Sequence, residues 1–228
     1  MKSFTKWVSI GSGCFLFWGL SLGRCDTQMT PPPIASRLKP GLWKRMLDDK
    51  EIIVNANLQD IPAAVPLKKY SFYAGMLVGA SIEQVRQVIT NYSLYSKLIP
   101  YVDRAQYSEK DHRLKIEGGI WSFKLRSEVL FKQVMNRWVH YQIVDGHFSG
   151  LEGDIYFESL GEKGSAVYFT GEQIGKLWPP KFVIERGAEI VFEFTARKMR
   201  SYIESEKRTD KGAGNGKQQE LPQPRGRL

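Results

Sequence analysis

Residues 81–102 of this 228-residue chain read SIEQVRQVITNYSLYSKLIPYV, and this stretch decides much of the fold. Ser81 is suited to begin a helix, because its hydroxyl can accept a backbone N–H of the first turn. The apolar residues that follow recur at helical spacing, at Ile82, Val85, Val88 and Ile89. A second helical segment carries Tyr92 and Tyr95, and Pro100 favours an extended conformation for the residue before it. The stretch therefore predicts two short helices that lead into a strand.

Strand patterns separated by turn residues follow this stretch, as is typical of an antiparallel meander. The predicted strands cover residues 102–108, 113–117, 121–134, 138–144, 150–160 and 165–174. The alternation is clearest after Trp121, where apolar residues occupy one face and Arg126 and Glu128 belong to the other. The pattern predicts a sheet with one face buried and the other in contact with water.

Further strands precede the helical stretch, and a long helix ends the pattern. A short helix at residues 42–47 leads to strands at 51–55 and 69–78, whereas two prolines predict a loop at 57–66. Near the C-terminus, residues 182–203 carry one broad apolar face at helical spacing. We therefore predict an α+β fold in which a curved antiparallel sheet surrounds a long C-terminal helix, with an apolar cavity between them.

The composition divides the chain into four parts. We predict a signal at residues 1–25, a linker with a short helix at 26–49, a ligand-binding domain at 50–205 and a basic tail at 206–228. The tail lacks aromatic residues and is rich in Lys, Gly, Gln and Pro. Because such a segment buries too little apolar surface to offset the entropy of ordering, we predict that it is disordered.

The first 25 residues have the parts of a secretory signal. Lys2 and Lys6 precede an uncharged, mostly apolar run at residues 7–22, which is shorter than the roughly 20 residues of a membrane-spanning helix. We predict cleavage and export to the bacterial periplasm, with an uncleaved membrane anchor as the alternative. The residues before Cys25 also resemble a lipoprotein processing site, although Arg24 stands where a small residue is usual. Lipidation of Cys25 would make the protein membrane-associated.

Positive charge is concentrated at the two ends of the chain. Of the formal charge of +9, residues 1–25 carry +3 and residues 207–228 carry +4, which leaves +2 for residues 26–206. A nearly neutral folded part is not the electrostatic pattern of a nucleic-acid-binding protein, so we expect no nucleic-acid partner. Both cysteines, Cys14 and Cys25, lie in or beside the signal, so the domain has no internal disulfide. We expect a monomer.

No residue set typical of catalysis or of cofactor binding emerges from the sequence. The histidines, His112, His140 and His147, lack the helical spacing of a zinc protease. The chain has no nucleophile elbow and no glycine-rich phosphate or dinucleotide loop in a suitable context. We therefore expect no metal and no cofactor. His140 lies in mid-strand, where it could act as a general acid or base on the concave face or serve as an ordinary sheet residue.

Candidate ligand contacts are the aromatic and apolar residues that we expect around the cavity, together with His140. They are Tyr92, Tyr95, Trp121, Phe123, Leu125, His140, Trp178, Val183, Val191 and Phe194. Tyrosine and tryptophan combine an apolar ring with a polar tip, which suits the mouth of a pocket. The alternative for each of these residues is ordinary core packing.

Residues 82–102 resemble a signature of the START-like (SRPBCC) superfamily, specifically of its polyketide cyclase/dehydrase and coenzyme Q-binding branch. In that signature a helix is followed by Asp/Asn-Tyr, a second Tyr, a Pro and a Val. Residues 150–157 are similar to a Gly-rich strand of the family, with Tyr156 and Phe157 in place of its Trp, and the prolines before the last helix also fit. The resemblance covers residues 50–205 and implies a helix-grip fold that encloses a hydrophobic cavity.

Many members of this superfamily bind lipids, quinones or polyketides, and some are enzymes, but they share no catalytic residue set. The resemblance therefore implies a ligand class rather than a reaction. Together with the signal it favours an exported, non-enzymatic carrier of a lipid or quinone-like molecule. One alternative is a cyclase/dehydrase-like or hydrolytic enzyme that uses His140, Tyr92 or Tyr95, which requires that His140 point into the cavity. The other is an interaction module whose partner binds the sheet edge or the basic tail.

Overall fold

The computed structural model describes residues 33–62, 65–120, 123–176 and 181–214, which belong to the compact unit Pro31–Leu228. Its strands are β1 (Ile53–Ile61), β2 (Leu67–Val78), β3 (Val102–Ser108), β4 (Arg113–Ile120), β5 (Phe123–Met135), β6 (Trp138–Gly146), β7 (Glu152–Ser159) and β8 (Ser165–Gly175). Its helices are α1 (Pro40–Asp48), α2 (Ile82–Ile89), α3 (Tyr95–Leu98) and α4 (Lys181–Gly214), with 3-10 turns at Ile34–Ser36, Tyr92–Leu94 and Gly161–Lys163.

The eight strands form one antiparallel sheet in the order β1-β2-β8-β7-β6-β5-β4-β3. β1 and β3 are therefore the two edges. The helix α4 lies on the concave face, where it contacts β1 and β2 at one end of the sheet and also contacts α2 and α3. This arrangement confirms the predicted α+β architecture, a curved antiparallel sheet that holds a long C-terminal helix.

Helix α2 begins as the sequence predicts. The Ser81 hydroxyl accepts the backbone N–H of Gln84, and the Gln84 side chain accepts the N–H of Ser81, each at 3.3 Å. This reciprocal capping satisfies two N–H groups that the first turn leaves without helical partners. Val85, Val88 and Ile89 are buried, so the predicted apolar stripe is the face that packs on the core.

Apolar side chains cover both faces of the sheet at its centre. The concave face belongs to the larger core cluster, which includes Phe72, Val129 and Ile155. The convex face carries a second cluster, in which Ile34 and Met46 pack on the sheet beside Tyr156 and Tyr168. Residues 34–48, which we predicted to be a linker with a short helix, therefore pack as part of the folded unit.

One predicted boundary is wrong. The predicted loop at residues 57–66 is strand as far as Ile61, because the prolines at 62 and 66 lie outside the paired residues of β1 and β2 instead of interrupting them. The helix α4 continues to Gly214, past residue 205, where we predicted that the domain ends. Lys, Arg and Glu are good helix formers, and they extend a helix without burying it.

The predictions for the signal, Cys25 and residues 215–228 lie outside the described residues. Within the part of the chain that the structure describes, no helix is both long enough and apolar enough to cross a bilayer.

Candidate functional site

Aromatic rings fill the space directly beneath α4. The ring of Phe192 stacks on that of Phe72 in β2, with centroids 4.5 Å apart, and meets Phe169 of β8 edge-on at 5.7 Å. Phe169 in turn stacks on Tyr141 of β6 at 5.0 Å. The expectation of an open cavity directly between sheet and helix is therefore wrong at this end of the sheet.

Two facing glycines allow this close packing. Gly153 and Gly171 pair across β7 and β8, and both lack the side chain that would fill the concave face there. The Tyr141 ring occupies the space, and its hydroxyl donates to the carbonyl oxygen of Thr170 at 2.8 Å. A Cβ on Gly153 would lie 1.9 Å from the same oxygen, which no native packing tolerates.

The broad apolar face predicted for α4 divides into two stripes. One stripe, which includes Ile184, Ala196, Met199 and Ile203, is buried in the core. The second stripe is not: Phe194 is 57% exposed and Ile190 is 44% exposed. Half-buried Val191 and Gly187 lie on the same side of the helix. We call Gly187, Ile190, Val191 and Phe194 the α4 flank.

The α4 flank faces away from the edge strand β1. Glu185 identifies the side of α4 that meets β1, because its carboxylate accepts the backbone N–H of Leu58 at 2.9 Å. With about 3.6 residues per turn, the flank lies on the opposite side of the helix. By the same spacing Ile190 lies opposite buried Met199 and Phe194 lies opposite buried Ile203, so the exposed residues of the flank also face away from the core.

The concave face of β4, β5 and β6 is only partly covered. Val129 and Phe131 are buried, but Ile116, Leu125 and Ile143 on the same face remain half-buried. Of the candidates, Leu125 therefore lies on the predicted face with half-buried apolar neighbours. We call Ile116, Leu125 and Ile143 the open concave patch.

Tyr92 and Tyr95 lie together in the core. The Tyr92 ring stacks on Phe131 at 4.0 Å, and the Tyr95 hydroxyl donates to the carbonyl oxygen of Ile89 at 2.9 Å. Burial raises the pKa of both hydroxyls well above the usual range for tyrosine. Neither phenol ionises near neutral pH, and the Tyr95 hydroxyl is already engaged, so Tyr95 is a structural residue.

His140 lies on the convex face, so its predicted position in a cavity is wrong. On β6 the neighbours Val139 and Tyr141 belong to the concave core, and side chains alternate along a strand. The His140 Nδ1 atom lies 3.0 Å from Asp154 Oδ1, which also accepts from Trp138 Nε1 at 2.7 Å. The Tyr156 hydroxyl donates to the other oxygen of Asp154. The enzyme hypothesis that needs His140 in the cavity fails.

The sequence interpretation missed Asp154, which joins this convex cluster. A shallow groove of about 330 Å³ lies beside it and is lined in part by Ser71, His140, Thr170 and Glu172. The signal was the alternation of polar residues on β7, where Glu152, Asp154 and Tyr156 share one face. Among the described side chains, no group of three or more His, Cys, Asp or Glu residues is placed to hold a metal ion.

Trp121 and Trp178 lie outside the described residues, as do the side chains of Phe123 and Val183.

The fold was compared with known proteins. No family model matches the sequence, and no curated protein matches it. Among solved structures, a START superfamily protein from Mycobacterium smegmatis aligns with a TM-score of 0.51 at 15% identity, over 59% of this chain and 97% of that one. The chain has a START-like fold.

Two further structures agree with this START-like fold. A protein of unknown function from Staphylococcus aureus aligns with a TM-score of 0.51 at 14% identity, over 62% of this chain and 98% of that one. A conserved protein from Geobacillus kaustophilus gives 0.51 at 13% identity, over 58% and 94%. The resemblance predicted from residues 82–102 is thus confirmed at the level of the fold.

Proposed function

We propose that this protein binds a hydrophobic small molecule at its exposed apolar surfaces, the α4 flank and the open concave patch. The observation that carries the proposal is the exposure of Phe194 and Ile190, one turn apart on a helix whose other apolar stripe is fully packed. A single exposed apolar residue is normal on a protein surface, but a continuous apolar stripe marks a contact surface.

The chemistry of the two surfaces suits a mainly apolar ligand. Ile190, Val191 and Phe194 supply aliphatic and aromatic carbon on one side, and Ile116, Leu125 and Ile143 supply aliphatic carbon on the other. Burial of apolar surface is worth about 25 cal/mol per Å², so a ligand that covers both surfaces gains affinity without ion pairs. Ligand sites of this kind are largely apolar, with few polar groups.

Thr195 offers a polar contact next to the flank. Its hydroxyl oxygen is buried and has no hydrogen-bond partner among the described residues. A buried hydroxyl without a partner is costly, and a ligand oxygen or N–H could remove that cost. We infer a ligand with an apolar body and one polar end, as in a lipid or a quinone-like molecule.

Gly187 leaves room at the start of the flank. Among the described residues, no heavy atom lies within 4 Å of a Cβ built on Gly187. From Gly187 to Phe194 the helix rises about 10 Å, and this length is similar to that of a ring system or of a short stretch of acyl chain. The flank therefore has open space beside its apolar side chains.

Our proposal extends to an exported carrier. Its support is the N-terminal signal pattern, with Lys2 and Lys6 before an uncharged stretch and Cys25 shortly after it. Mass spectrometry of the protein isolated from its native cells tests this directly. A mass that corresponds to a chain beginning near residue 26, or to a chain with a lipidated Cys25, supports export. A mass that includes Met1 refutes cleavage.

The ligand proposal is tested on the full-length chain. The protein is purified without detergent, and an organic extract is analysed by mass spectrometry against an equal amount of the Phe194→Asp variant. We expect an apolar compound in near-equimolar amount that the variant lacks. Equal extracts from the two proteins, together with no binding of palmitate by either, would refute the proposal.

A further inference from the structure

Gln173 carries a buried hydrogen-bond acceptor that lacks a partner. It lies on β8 directly opposite Tyr70, which belongs to the concave core, so the Gln173 side chain also lies on the concave face. Its Nε2 atom donates to the backbone carbonyl oxygen of Ser149 at 2.6 Å. Because a carbonyl oxygen only accepts, this bond fixes which end of the amide faces Ser149. The other end, the Oε1 atom, is buried and has no hydrogen-bond partner among the described residues.

Gln173 lies on the same face of the sheet as the open concave patch. In the sheet order, β8 stands between β2, which α4 contacts, and β6, which carries Ile143. Ser149 belongs to the loop that closes on Ile143, since the N–H of Gly150 donates to the Ile143 carbonyl oxygen at 2.8 Å. The bond from Gln173 to Ser149 therefore joins this residue to the border of the patch.

Two side chains of α4 show that the helix runs lengthwise along β2. The Glu185 carboxylate accepts the N–H of Leu58, and Leu58 pairs with Tyr70 near the start of β2. The Glu204 carboxylate accepts the N–H of Gly79, just after the end of β2, at 2.9 Å. Glu185 and Glu204 therefore lie near opposite ends of this strand.

Gln173 and Thr195 consequently lie at different levels of the helix. Gln173 is in the same row across the sheet as Leu58, and so at the level of Glu185. Thr195 follows Glu185 by ten positions, which is about 15 Å along the helix. A hydrogen bond spans only about 3 Å, so one polar group of a ligand cannot bind both side chains.

The surroundings of Gln173 favour a neutral donor over a cation. A buried ammonium group needs a carboxylate partner. Glu172, the neighbour of Gln173 in the chain, lies on the opposite face and pairs with Lys69 at 2.7 Å. Glu185 is already bonded to the backbone of Leu58. A hydroxyl or an amide N–H would satisfy the Gln173 oxygen without burying a charge.

We propose that Gln173 selects ligands that carry a neutral hydrogen-bond donor in addition to the polar end that meets Thr195. This inference rests on the proposed function and narrows its ligand to a hydroxylated lipid or a similar molecule with two polar groups about 15 Å apart. The Oε1 atom accepts from the ligand, while Nε2 stays bonded to Ser149 and holds the amide in place. A ligand without the second group leaves Oε1 unpaired and binds more weakly.

The probes are palmitate and ω-hydroxypalmitate, which differ by one hydroxyl group. Their binding to the full-length chain is measured by titration calorimetry. Gln173→Met replaces the acceptor by an apolar side chain of similar length. Gln59→Met is the matched control, because Gln59 follows the concave residue Leu58 on β1 and so lies on the opposite face. Thr195→Val removes the other polar contact, and urea unfolding confirms that each variant folds.

We expect the wild type and Gln59→Met to bind ω-hydroxypalmitate about fivefold or more tightly than palmitate. Gln173→Met should lose this preference, whereas Thr195→Val should weaken both probes by a similar factor and keep it. A wild type that binds both probes equally, or a preference that survives in Gln173→Met, overturns this inference and leaves the proposed function standing. If neither probe binds, the proposed function fails and this inference fails with it.

Discussion

Two phenylalanines on α4, two positions apart, should separate ligand binding from stability. Phe194 is 57% exposed on the α4 flank, whereas Phe192 packs against Phe72 and Phe169 in the core. Phe192 is half-buried but its ring is packed on both of these rings, so its replacement by alanine should lower the free energy of unfolding by about 3 kcal/mol, at the low end for aromatic residues in cores. The same change at Phe194 should cost less than about 1 kcal/mol, because little is removed from the core.

Ligand affinity should fall in Phe194→Ala and change little in Phe192→Ala, the opposite of the effect on stability. An aromatic side chain can bury about 150–250 Å², so the exposed part of Phe194 offers about 100 Å² to a ligand. At about 25 cal/mol per Å² this area contributes about 2.5 kcal/mol, or a factor of about 60 in affinity. Since alanine keeps its Cβ, we expect Phe194→Ala to weaken binding by about 10- to 60-fold.

The assay is a titration of the full-length protein with palmitate and, separately, with an anilinonaphthalene sulfonate dye, beside urea unfolding of each variant. Phe192→Ala, tested where it remains folded, is the matched control. If Phe194→Ala binds both probes within about twofold of the wild type while the wild type binds them well, the α4 flank is not the ligand surface. A large loss of stability in Phe194→Ala would show that the exposed ring supports the fold.

Three further outcomes follow from the packing. Gly187→Met should fill the space on the α4 flank and so reduce palmitate binding. It should also raise the urea midpoint slightly, because glycine is a poor helix former. Unchanged palmitate binding would argue against a ligand at this position. Gly153→Ala places a Cβ against the carbonyl oxygen of Thr170, so it should lower the free energy of unfolding, measured with urea, by about 3 kcal/mol or more. A loss below about 1 kcal/mol would contradict the close approach of Gly153 to this oxygen. Burial raises the pKa of Tyr168 to about 12, whereas a tyrosine in the unfolded chain ionises near pH 10. The contribution of neutral Tyr168 to the free energy of unfolding is therefore complete below about pH 10 and is lost as the pH rises towards 12. Urea midpoints that stay constant across this range, or a Tyr168→Phe variant that declines as steeply, would refute this.

Features that depend on neighbouring residues were predictable from the sequence. The capping of α2 by Ser81 needs only a hydroxyl and a glutamine three residues later, and the alternation after Trp121 shows which face of β5 is buried. The order of helices and strands then narrows the fold to a helix held by an antiparallel sheet. In each case the deciding contacts lie within one element or between adjacent ones.

Features that depend on distant contacts were not predictable. His140 was placed on the wrong face because both faces of β6 carry apolar residues, and only the packing of α1 explains Trp138 on the convex side. The helical pattern of α4 identified its apolar residues, but not that Phe192 is packed and Phe194 exposed. That difference depends on how far across the sheet the helix lies, which no local pattern records.

The glycine pair in β7 and β8 makes the sheet unusually thin at one point. With no side chains at Gly153 and Gly171, the ring of Phe72 borders the groove on the convex side, although it belongs to the concave core. The same ring stacks on Phe192 of α4. A tilt of the helix that shifts Phe192 must therefore shift Phe72 as well, and a spectroscopic label attached at Ser71 would sense that movement from the far side of the sheet.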